Sequence, residues 1–239
     1  MKLKVTVFTI AVLCCMQALT ASAQGKWTTI GTYLTRDSIT KKGYTLIFIN
    51  KDSTFAQAAG DSVKTRMIDA FFKVYPAEAK KYNKKTTRTV TFIVDPGYKG
   101  VAAASDGIIR FNPGWMLRKP TDVDVVTHEV MHIVQEYGYS AGPVWLTEGI
   151  ADYVRFKFGV DNEGSKWTMP EYKETQSYKN SYRITARFFV WIEKTNNKKL
   201  VVELDKRLRA HTYTADTWKE LTSKNVDELW ADYAKNPVI

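Results

Sequence analysis

Cysteine and histidine are scarce in this 239-residue chain, and so are long apolar segments. Both cysteines, Cys14 and Cys15, lie near the amino terminus, and there are only three histidines. The chain beyond Cys15 can therefore form no disulfide, no thiolate zinc site and no cysteine nucleophile. Its stability must come from a hydrophobic core, which a chain of this length with 44% hydrophobic residues can bury within one domain.

The long apolar segment that is present lies at the amino terminus. Lys2 and Lys4 precede a mostly apolar run over 5–19, and the small residues Ala-Ser-Ala follow it. This layout is typical of a secretory signal peptide, and the run is shorter than the about 20 residues that span a bilayer. The alternative is a membrane anchor retained on the mature protein. We expect a signal peptide over 1–23 and a secreted or periplasmic mature protein, starting at Gln24, that does not span a membrane.

Positive charge exceeds negative charge. The formal net charge is +10, and it is +8 without the two lysines of the predicted signal peptide. The basic residues are scattered, and their densest run, 80–85, is typical of a solvated helix end. No glycine-rich phosphate loop or nucleic-acid motif accompanies it, so we expect no nucleic-acid partner. The charge instead favours attraction to anionic envelope polymers or acidic substrates.

The amino-terminal half predicts a small mixed β-sheet with one helix. Apolar residues at helical spacing predict the helix over 62–75. Strands, two of them joined in a hairpin through Asp106-Gly107, are predicted over 44–50, 89–95, 101–104 and 108–111. We assign this β-rich lobe to about 24–118.

The carboxyl-terminal half predicts helices almost throughout. They cover 121–137, 144–158, 182–194, 200–210, 214–221 and 226–235. Thr121 or Asp122 is the expected N-cap of the first helix. The two halves together predict an α+β fold in a single domain over 24–239, with the small sheet packed on a larger helical lobe over about 119–239.

The first of these helices contains an HExxH pattern, with His128, Glu129 and His132. Residues four apart share a helical face, so the two imidazoles can reach one ion, and Zn²⁺ suits neutral imidazoles. Glu129 is offset by one position and can act on a water at that ion. The alternative is a chance pattern with two surface histidines. The remaining histidine, His211, lies in a polar stretch, and we expect it at the surface.

A catalytic zinc needs a third protein ligand and an open fourth position. The metzincin pattern is excluded, because it would place glycine and histidine where this chain has Gln135 and Gly138. The next helix offers Glu148, after a turn long enough to return antiparallel to the first. This arrangement resembles gluzincins, whose third ligand is a glutamate on the second helix and whose acid four residues later orients a ligand histidine. The resemblance implies these roles for Glu148 and Asp152; the alternative is a surface glutamate and an Asp152–Arg155 pair.

Three segments beyond the HExxH pattern resemble the basic secretory protein family of plants and bacteria. They are EGIADYVR over 148–155, YRITARFF over 182–189 and LWADY over 229–233. The resemblance runs over about 44–235, nearly the whole predicted mature chain. It implies a secreted protein with a zincin-like fold and a zinc peptidase-like site. Ser181 departs from the family, which tends to have glycine before this tyrosine.

Peptide hydrolysis builds negative charge on the scissile carbonyl oxygen, so the site needs a hydrogen-bond donor there. Tyr182 opens a helix after a Trp- and Tyr-bearing loop, and it is our candidate for this catalytic role. The alternative is a core tyrosine, with Tyr153 and Tyr178 as other candidates for the donor.

Small side chains in the predicted hairpin indicate how a substrate is held. In peptidases with an HExxH helix, substrate commonly lies extended along a sheet edge beside that helix. Ala102, Ala103 and Ala104 would let a peptide backbone approach and add as an extra strand. The alternative is a plain hairpin whose alanines pack under a helix. No acidic residue lies within 101–104 to bind a free amino terminus, which favours an endopeptidase over an aminopeptidase.

Two kinds of function follow. The first is a secreted zinc-dependent endopeptidase that cleaves peptide or protein substrates, binds one Zn²⁺ and uses Glu129 as general base. The second is a catalytically silent secreted protein with a peptidase-like shell that binds envelope glycans or peptides. The HExxH pattern together with Glu148 favours the first, because a binding module needs no general base. We expect a monomer in either case.

Overall fold

A computed structural model describes residues 27–239 of the chain. The predicted signal peptide, 1–23, lies outside the described residues. The chain divides into two units, the first ending at Tyr33 and the second being Leu34–Ile239. The strands and helices named below all belong to the second unit.

The second unit begins with a five-stranded mixed sheet of order β1-β2-β3-β5-β4. Its strands are β1 (Thr35–Lys41), β2 (Tyr44–Asn50), β3 (Thr89–Val94), β4 (Ala102–Ser105) and β5 (Ile108–Phe111). β2, β3 and β5 are parallel, whereas the edge strands β1 and β4 run antiparallel to their neighbours. The predicted strands and the hairpin are confirmed. β1 was not predicted, because its sequence is polar and its side chains are mostly exposed.

Helices account for most of the remainder, so the fold is α+β as predicted. They are α1 (Ala58–Lys81), α2 (Pro113–Arg118), α3 (Val125–Gln135), α4 (Val144–Phe158), α5 (Tyr182–Thr195), α6 (Leu200–Arg209), α7 (Asp216–Thr222) and α8 (Val226–Lys235), with a 3₁₀ turn at Tyr178–Asn180. None of the helices in the described part of the chain has both the length and the apolar character needed to cross a membrane.

One face of the sheet packs on α1, and α3 lies against both. Phe71 of α1 contacts Phe92 of β3 edge-to-face, and Phe92 contacts Phe111 of β5 in the same way. Val130 and Val134 of α3 are fully buried in the same core. The helix with the HExxH pattern is therefore fixed from several sides, which is what a precisely spaced ligand set requires.

The predicted boundaries of two helices are wrong. α1 runs from Ala58 to Lys81 rather than from 62 to 75, passing through Pro76, because its buried face continues at Glu78 and Ala79. α3 begins at Val125 rather than at 121, and its N-cap residue is Asp124. The Asp124 side chain does not cap this helix, since its carboxylate is used elsewhere.

Candidate active site

Hydrogen bonds join the amino-terminal end of α3 to the loop that follows α4. The buried Asp124 carboxylate accepts hydrogen bonds from the backbone N–H groups of Val160 and Asp161, both at 2.6 Å. It also accepts one from the Thr127 hydroxyl at 2.8 Å. Three donors compensate for the cost of removing a carboxylate from water. These hydrogen bonds therefore fix where the HExxH helix starts.

The carboxyl-terminal end of α3 is held by an arginine from α6. Arg209 Nη1 donates to the carbonyl oxygens of Val134 and Gln135, at 3.1 Å and 3.0 Å. The buried Asp205 pairs with Arg209 and keeps it in place. A cation at the last carbonyls of a helix stabilises that end. Both ends of α3 are thus held in place by contacts that do not involve the candidate ligands.

α4 returns beside α3 after the reversal over 136–143. Glu136 and Gly138 both have positive φ, of 45° and 65°, which turns the chain out of α3. Gly149 lets α4 approach α5 closely, because a Cβ there would lie only 2.3 Å from Thr185 Cγ2. The residue next to this close contact is Glu148, which therefore has little freedom to shift.

The ligand atoms of His128, His132 and Glu148 converge between α3 and α4. His132 Nε2 lies 3.1 Å from His128 Nε2. Glu148 Oε2 lies 3.2 Å from His128 Nε2 and 3.5 Å from His132 Nε2. The structure thus brings together the three residues that the sequence predicted as metal ligands.

These separations fit a tetrahedral zinc site. Two ligand atoms about 2.1 Å from one ion, at the tetrahedral angle, lie about 3.4 Å from each other. Two neutral imidazoles and one carboxylate are also a donor set that catalytic zinc takes, with a fourth position left open. The residues present therefore fit the predicted ion in both spacing and chemistry.

Asp152 lies on the far side of His128 from this cluster. Its Oδ1 is 2.7 Å from His128 Nδ1, so the carboxylate can accept that N–H and leave Nε2 for a metal. Burial lowers the pKa of His128, but hydrogen bonds to Asp152 and Glu148 outweigh burial and raise it to about 10. Burial raises the pKa of Glu148, yet its hydrogen bonds with the two histidines lower it overall. The carboxylates thus make this cluster favourable for positive charge.

Glu129 is buried next to the cluster with 6% of its surface exposed. Its Oε2 atom has no hydrogen-bond partner among the described residues. Burial raises the pKa of this carboxyl, although the neighbouring histidines oppose the shift. An unpaired buried oxygen costs stability, and such an atom beside a cluster of ionisable groups is typical of a functional group rather than of a packing residue.

Tyr182 lies next to the cluster, against the ring of His128. Its ring stacks on the His128 ring with centroids 6.1 Å apart, and 53% of its surface is exposed, so it is not a core tyrosine. Burial and the nearby charges of Glu148, Asp152 and Glu129 raise its pKa, which keeps the phenol protonated as a donor. Ser181 before it has φ 71° and ψ −178°, a conformation close to glycine-only, and Tyr182 itself has φ 50°.

The other candidates for these roles lie away from the cluster. Tyr153 is buried and donates its hydroxyl to Glu193, and Tyr178 is buried and donates to Asp227 at 2.7 Å. Arg155 pairs with Asp122 at 2.5 Å, so the alternative pairing of Arg155 with Asp152 is not observed. Neither alternative tyrosine is placed to meet a substrate carbonyl at the cluster.

β4 is an edge strand beside α3, and its register decides which alanines face outward. Ala103 pairs with Arg110, and the Asn112 N–H donates to the Val101 carbonyl at 3.0 Å. In an antiparallel pair hydrogen-bonded residues alternate, so the backbone groups of Ala103 face β5. Those of Ala102 and Ala104 point outward. Of the three alanines predicted to bind a peptide, Ala103 therefore offers no outward backbone group, whereas Ala102 and Ala104 do.

Tyr98 was missed from the sequence, although it lies at this edge. Its hydroxyl donates to the outward carbonyl of Ala102 at 3.0 Å. Burial raises its pKa, and the charge of Glu129 adds to this effect. A Cβ at Gly100 would lie 2.7 Å from the Tyr98 hydroxyl oxygen, so a larger residue there would require the Tyr98 ring to move. No sequence spacing links Tyr98 to the HExxH helix.

Two further residues near the cluster were missed, although helical spacing in the sequence could have indicated both. Gln135 contacts His132, and its position three residues later on the same helix places it on the same face. Glu78 is fully buried on α1, where the 3–4 spacing of the apolar residues predicts it on the core side. Neither of its oxygens has a hydrogen-bond partner among the described residues.

The cluster is thus an HExxH helix with a glutamate from the next helix, the arrangement expected of a metallopeptidase. The model of a protein family described as peptidase of plants and bacteria matches residues 40–233. The chain belongs to this family, and the resemblance drawn from its motifs is confirmed.

Solved structures of M1 zinc metallopeptidases are similar to this chain. A two-domain enzyme variant bound to L-tryptophan aligns at TM-score 0.48 and 11% identity, over 87% of this chain and 52% of its own. A variant from Deinococcus radiodurans bound to a Tyr-Ser-Ala substrate aligns at TM-score 0.47 and 10% identity, over 87% of this chain and 53% of its own. The chain spans about half the length of these enzymes. The comparison with curated proteins gives no match.

Proposed function

We propose that this chain is a zinc-dependent endopeptidase with a zincin-like fold. The observation that carries the proposal is the convergence of His128, His132 and Glu148 at 3.1–3.5 Å beside the unpaired oxygen of Glu129. Zn²⁺ held there would lower the pKa of a water molecule from about 15.7 toward about 7 and polarise a substrate carbonyl. Membership of a peptidase family supports the reaction class.

Glu129 has the role of general base. It is adjacent in sequence to His128, it is almost fully buried, and its Oε2 has no other partner among the described residues. Its raised pKa brings its proton affinity closer to that of the water it must deprotonate. Glu129 takes the proton of the attacking water and then donates it to the leaving amine, so the carboxylate is regenerated.

Tyr182 has the role of oxyanion donor. Negative charge grows on the carbonyl oxygen during attack, and a preorganised donor stabilises it. The raised pKa of the phenol means that its proton is present at neutral pH. The two consecutive positive φ angles at Ser181 and Tyr182 direct the ring over His128.

The substrate is held as an added strand on the outer edge of β4. Ala102 and Ala104 have outward backbone groups, and their small side chains leave room for a peptide. The Tyr98 hydroxyl occupies the Ala102 carbonyl, so a bound peptide either replaces that phenol or pairs chiefly with Ala104. No carboxylate lies on this strand to bind a free amino terminus, which favours cleavage within long chains.

We also propose that the protein is exported from the cytoplasm and is a monomer. The basic start and apolar run of 1–23 support a signal peptide, and hence a secreted or periplasmic site of action. The positive charge of the remaining chain favours contact with anionic envelope polymers. A single chain supplies the whole candidate cluster, which is consistent with a monomer.

The decisive experiment compares Glu129→Gln with His132→Ala in purified protein supplied with zinc. Glu129→Gln should bind one zinc per chain but lose cleavage of casein or long peptides by orders of magnitude, and His132→Ala should lose most of the zinc. Glu136→Gln is the matched control, because this carboxylate follows the same helix but contacts Asn83. A wild-type protein that binds zinc and ligands without cleaving any peptide would indicate the silent, binding protein instead.

A further inference from the structure

Gln135 is buried at the end of the HExxH helix and faces a proposed ligand. It is the last residue of α3, three positions after His132, and 1% of its surface is exposed. Its backbone carbonyl is fastened by Arg209 at 3.0 Å. The position of its side chain is therefore set by the fold, because the backbone around it is held from outside the cluster.

The orientation of the Gln135 amide follows from its two partners. Its nitrogen lies 2.9 Å from the carbonyl oxygen of Thr147. A carbonyl can only accept a hydrogen bond, so the NH₂ group must face Thr147 and the amide oxygen must face the other way. That oxygen lies 2.7 Å from Nδ1 of His132.

This orientation determines the tautomer of His132. The amide oxygen of Gln135 can only accept, so Nδ1 of His132 must donate. In the neutral ring the lone pair is then on Nε2, the atom that lies 3.5 Å from Glu148 Oε2. The ring nitrogen that faces the cluster is thus the one able to bind a metal.

The two histidines of the cluster are oriented by partners of different charge. Nδ1 of His128 meets a carboxylate, that of Asp152, whereas Nδ1 of His132 meets a neutral amide. Glu129, Glu148 and Asp152 already place three carboxyl groups around the cluster. An amide at Gln135 orients the second imidazole without adding another negative charge.

The same amide also connects the two helices that carry the ligands. Thr147 precedes Glu148 in the first turn of α4, so Gln135 joins His132 of one helix to the turn that carries Glu148. We propose that Gln135 is a positioning residue that keeps His132 in its metal-binding tautomer and fixes its distance from Glu148. This inference rests on the proposed zinc site.

The first test measures zinc affinity by competition with a chelator. Gln135→Leu keeps the bulk of the side chain but removes both hydrogen bonds, and the affinity should fall about 10- to 100-fold. Asn83→Leu is the matched control, because the Asn83 amide donates to the Val134 carbonyl at the same helix end, at 3.0 Å, and contacts no ligand. At a similar loss of unfolding free energy, Asn83→Leu should change the affinity by no more than about twofold. An equal loss in both variants would overturn the inference.

Gln135→Glu separates orientation from packing. Its carboxylate can still accept the His132 Nδ1–H but loses the link to Thr147, so zinc affinity should lie between those of wild type and Gln135→Leu while the unfolding free energy falls. If Gln135→Glu binds zinc as weakly as Gln135→Leu, acceptance from His132 is not the property that matters.

The tautomer can be read without zinc. Nitrogen NMR of the metal-free wild-type protein, recorded where His132 is neutral, should show hydrogen on Nδ1, and Gln135→Leu should shift the ring toward hydrogen on Nε2. A wild-type His132 with its hydrogen on Nε2 would contradict the inference even if zinc binds. A wild-type protein that shows the Nδ1–H form but binds no zinc would instead contradict the proposed function.

Discussion

Asp152 Oδ1 lies 2.7 Å from His128 Nδ1, one helical turn after Glu148 on α4. One short helix segment thus carries both a proposed ligand and the group that orients another ligand. The carboxylate has no contact with Arg155, whose partner is Asp122 at 2.5 Å. The relation between Asp152 and His128 is therefore the one to test first.

Asp152→Asn should weaken zinc binding about 10- to 100-fold, because an amide can accept the His128 N–H but lacks the charge that makes the imidazole a stronger donor to the metal. Chelator competition gives the affinity. Asp122→Asn is the control, since it disturbs another carboxylate, partly buried, that contacts α4 but no ligand. An unchanged affinity in Asp152→Asn would reduce Asp152 to a packing residue.

The strained backbone before Tyr182 gives a prediction about stability. The Ser181 conformation costs about 1–3 kcal/mol for a residue with a Cβ, and glycine removes most of that cost. Glycine also gives the unfolded chain more freedom, at about 0.5–1 kcal/mol. Ser181→Gly should thus raise the free energy of unfolding by about 1 kcal/mol in denaturant titration.

Ser181→Ala is the control for this substitution. It keeps the Cβ and the strain but removes the Oγ atom, which is buried without a partner among the described residues. If Ser181→Ala stabilises the protein as much as Ser181→Gly, the unpaired hydroxyl rather than the backbone conformation is the cause.

Glu78 gives a prediction about pH. Burial raises its pKa well above the ordinary range, and the positive charge of His128 opposes this only in part. An acid whose folded pKa is raised contributes its full stability below its unfolded pKa of about 4.3 and loses it as pH rises toward the folded pKa. Each unit of that shift corresponds to about 1.4 kcal/mol.

Glu78→Gln should therefore become progressively more stable than wild type between about pH 4 and about pH 8, because glutamine has no proton to lose. The free energy of unfolding measured across this range is the test. Glu78→Leu should show the same trend with pH, offset by a constant packing difference. A pH-independent difference in both variants would mean that Glu78 is ionised in the folded protein.

The sequence predicted those parts of the fold and site that depend on local spacing. The bounds of α4 and α8 agree with the prediction, because apolar periodicity is clear and Asn225 caps α8. The HExxH spacing and Glu148 were sufficient to predict that His128, His132 and Glu148 converge. Side-chain contacts such as that between Tyr98 and the edge of β4 leave no periodic pattern in the sequence, so they could not be predicted. β1 was missed for a related reason, since a polar strand is defined by the partner it pairs with.

The register of β4 makes the substrate-binding proposal testable with two prolines. Ala104→Pro removes an outward N–H but no bond to β5, and proline is tolerated on an edge strand. Losing one hydrogen bond of about 1–1.5 kcal/mol should raise the KM for long peptides about 5- to 13-fold, with zinc content unchanged. Ala103→Pro instead removes a bond to β5, so it should mainly lower the melting temperature. A wild-type KM in a folded, zinc-loaded Ala104→Pro protein would exclude this edge as the binding site.

Loss of cleavage on acetylating the substrate's amino terminus would contradict the endopeptidase assignment, because the outward groups of Ala102 and Ala104 recognise a peptide backbone and not a terminal amine.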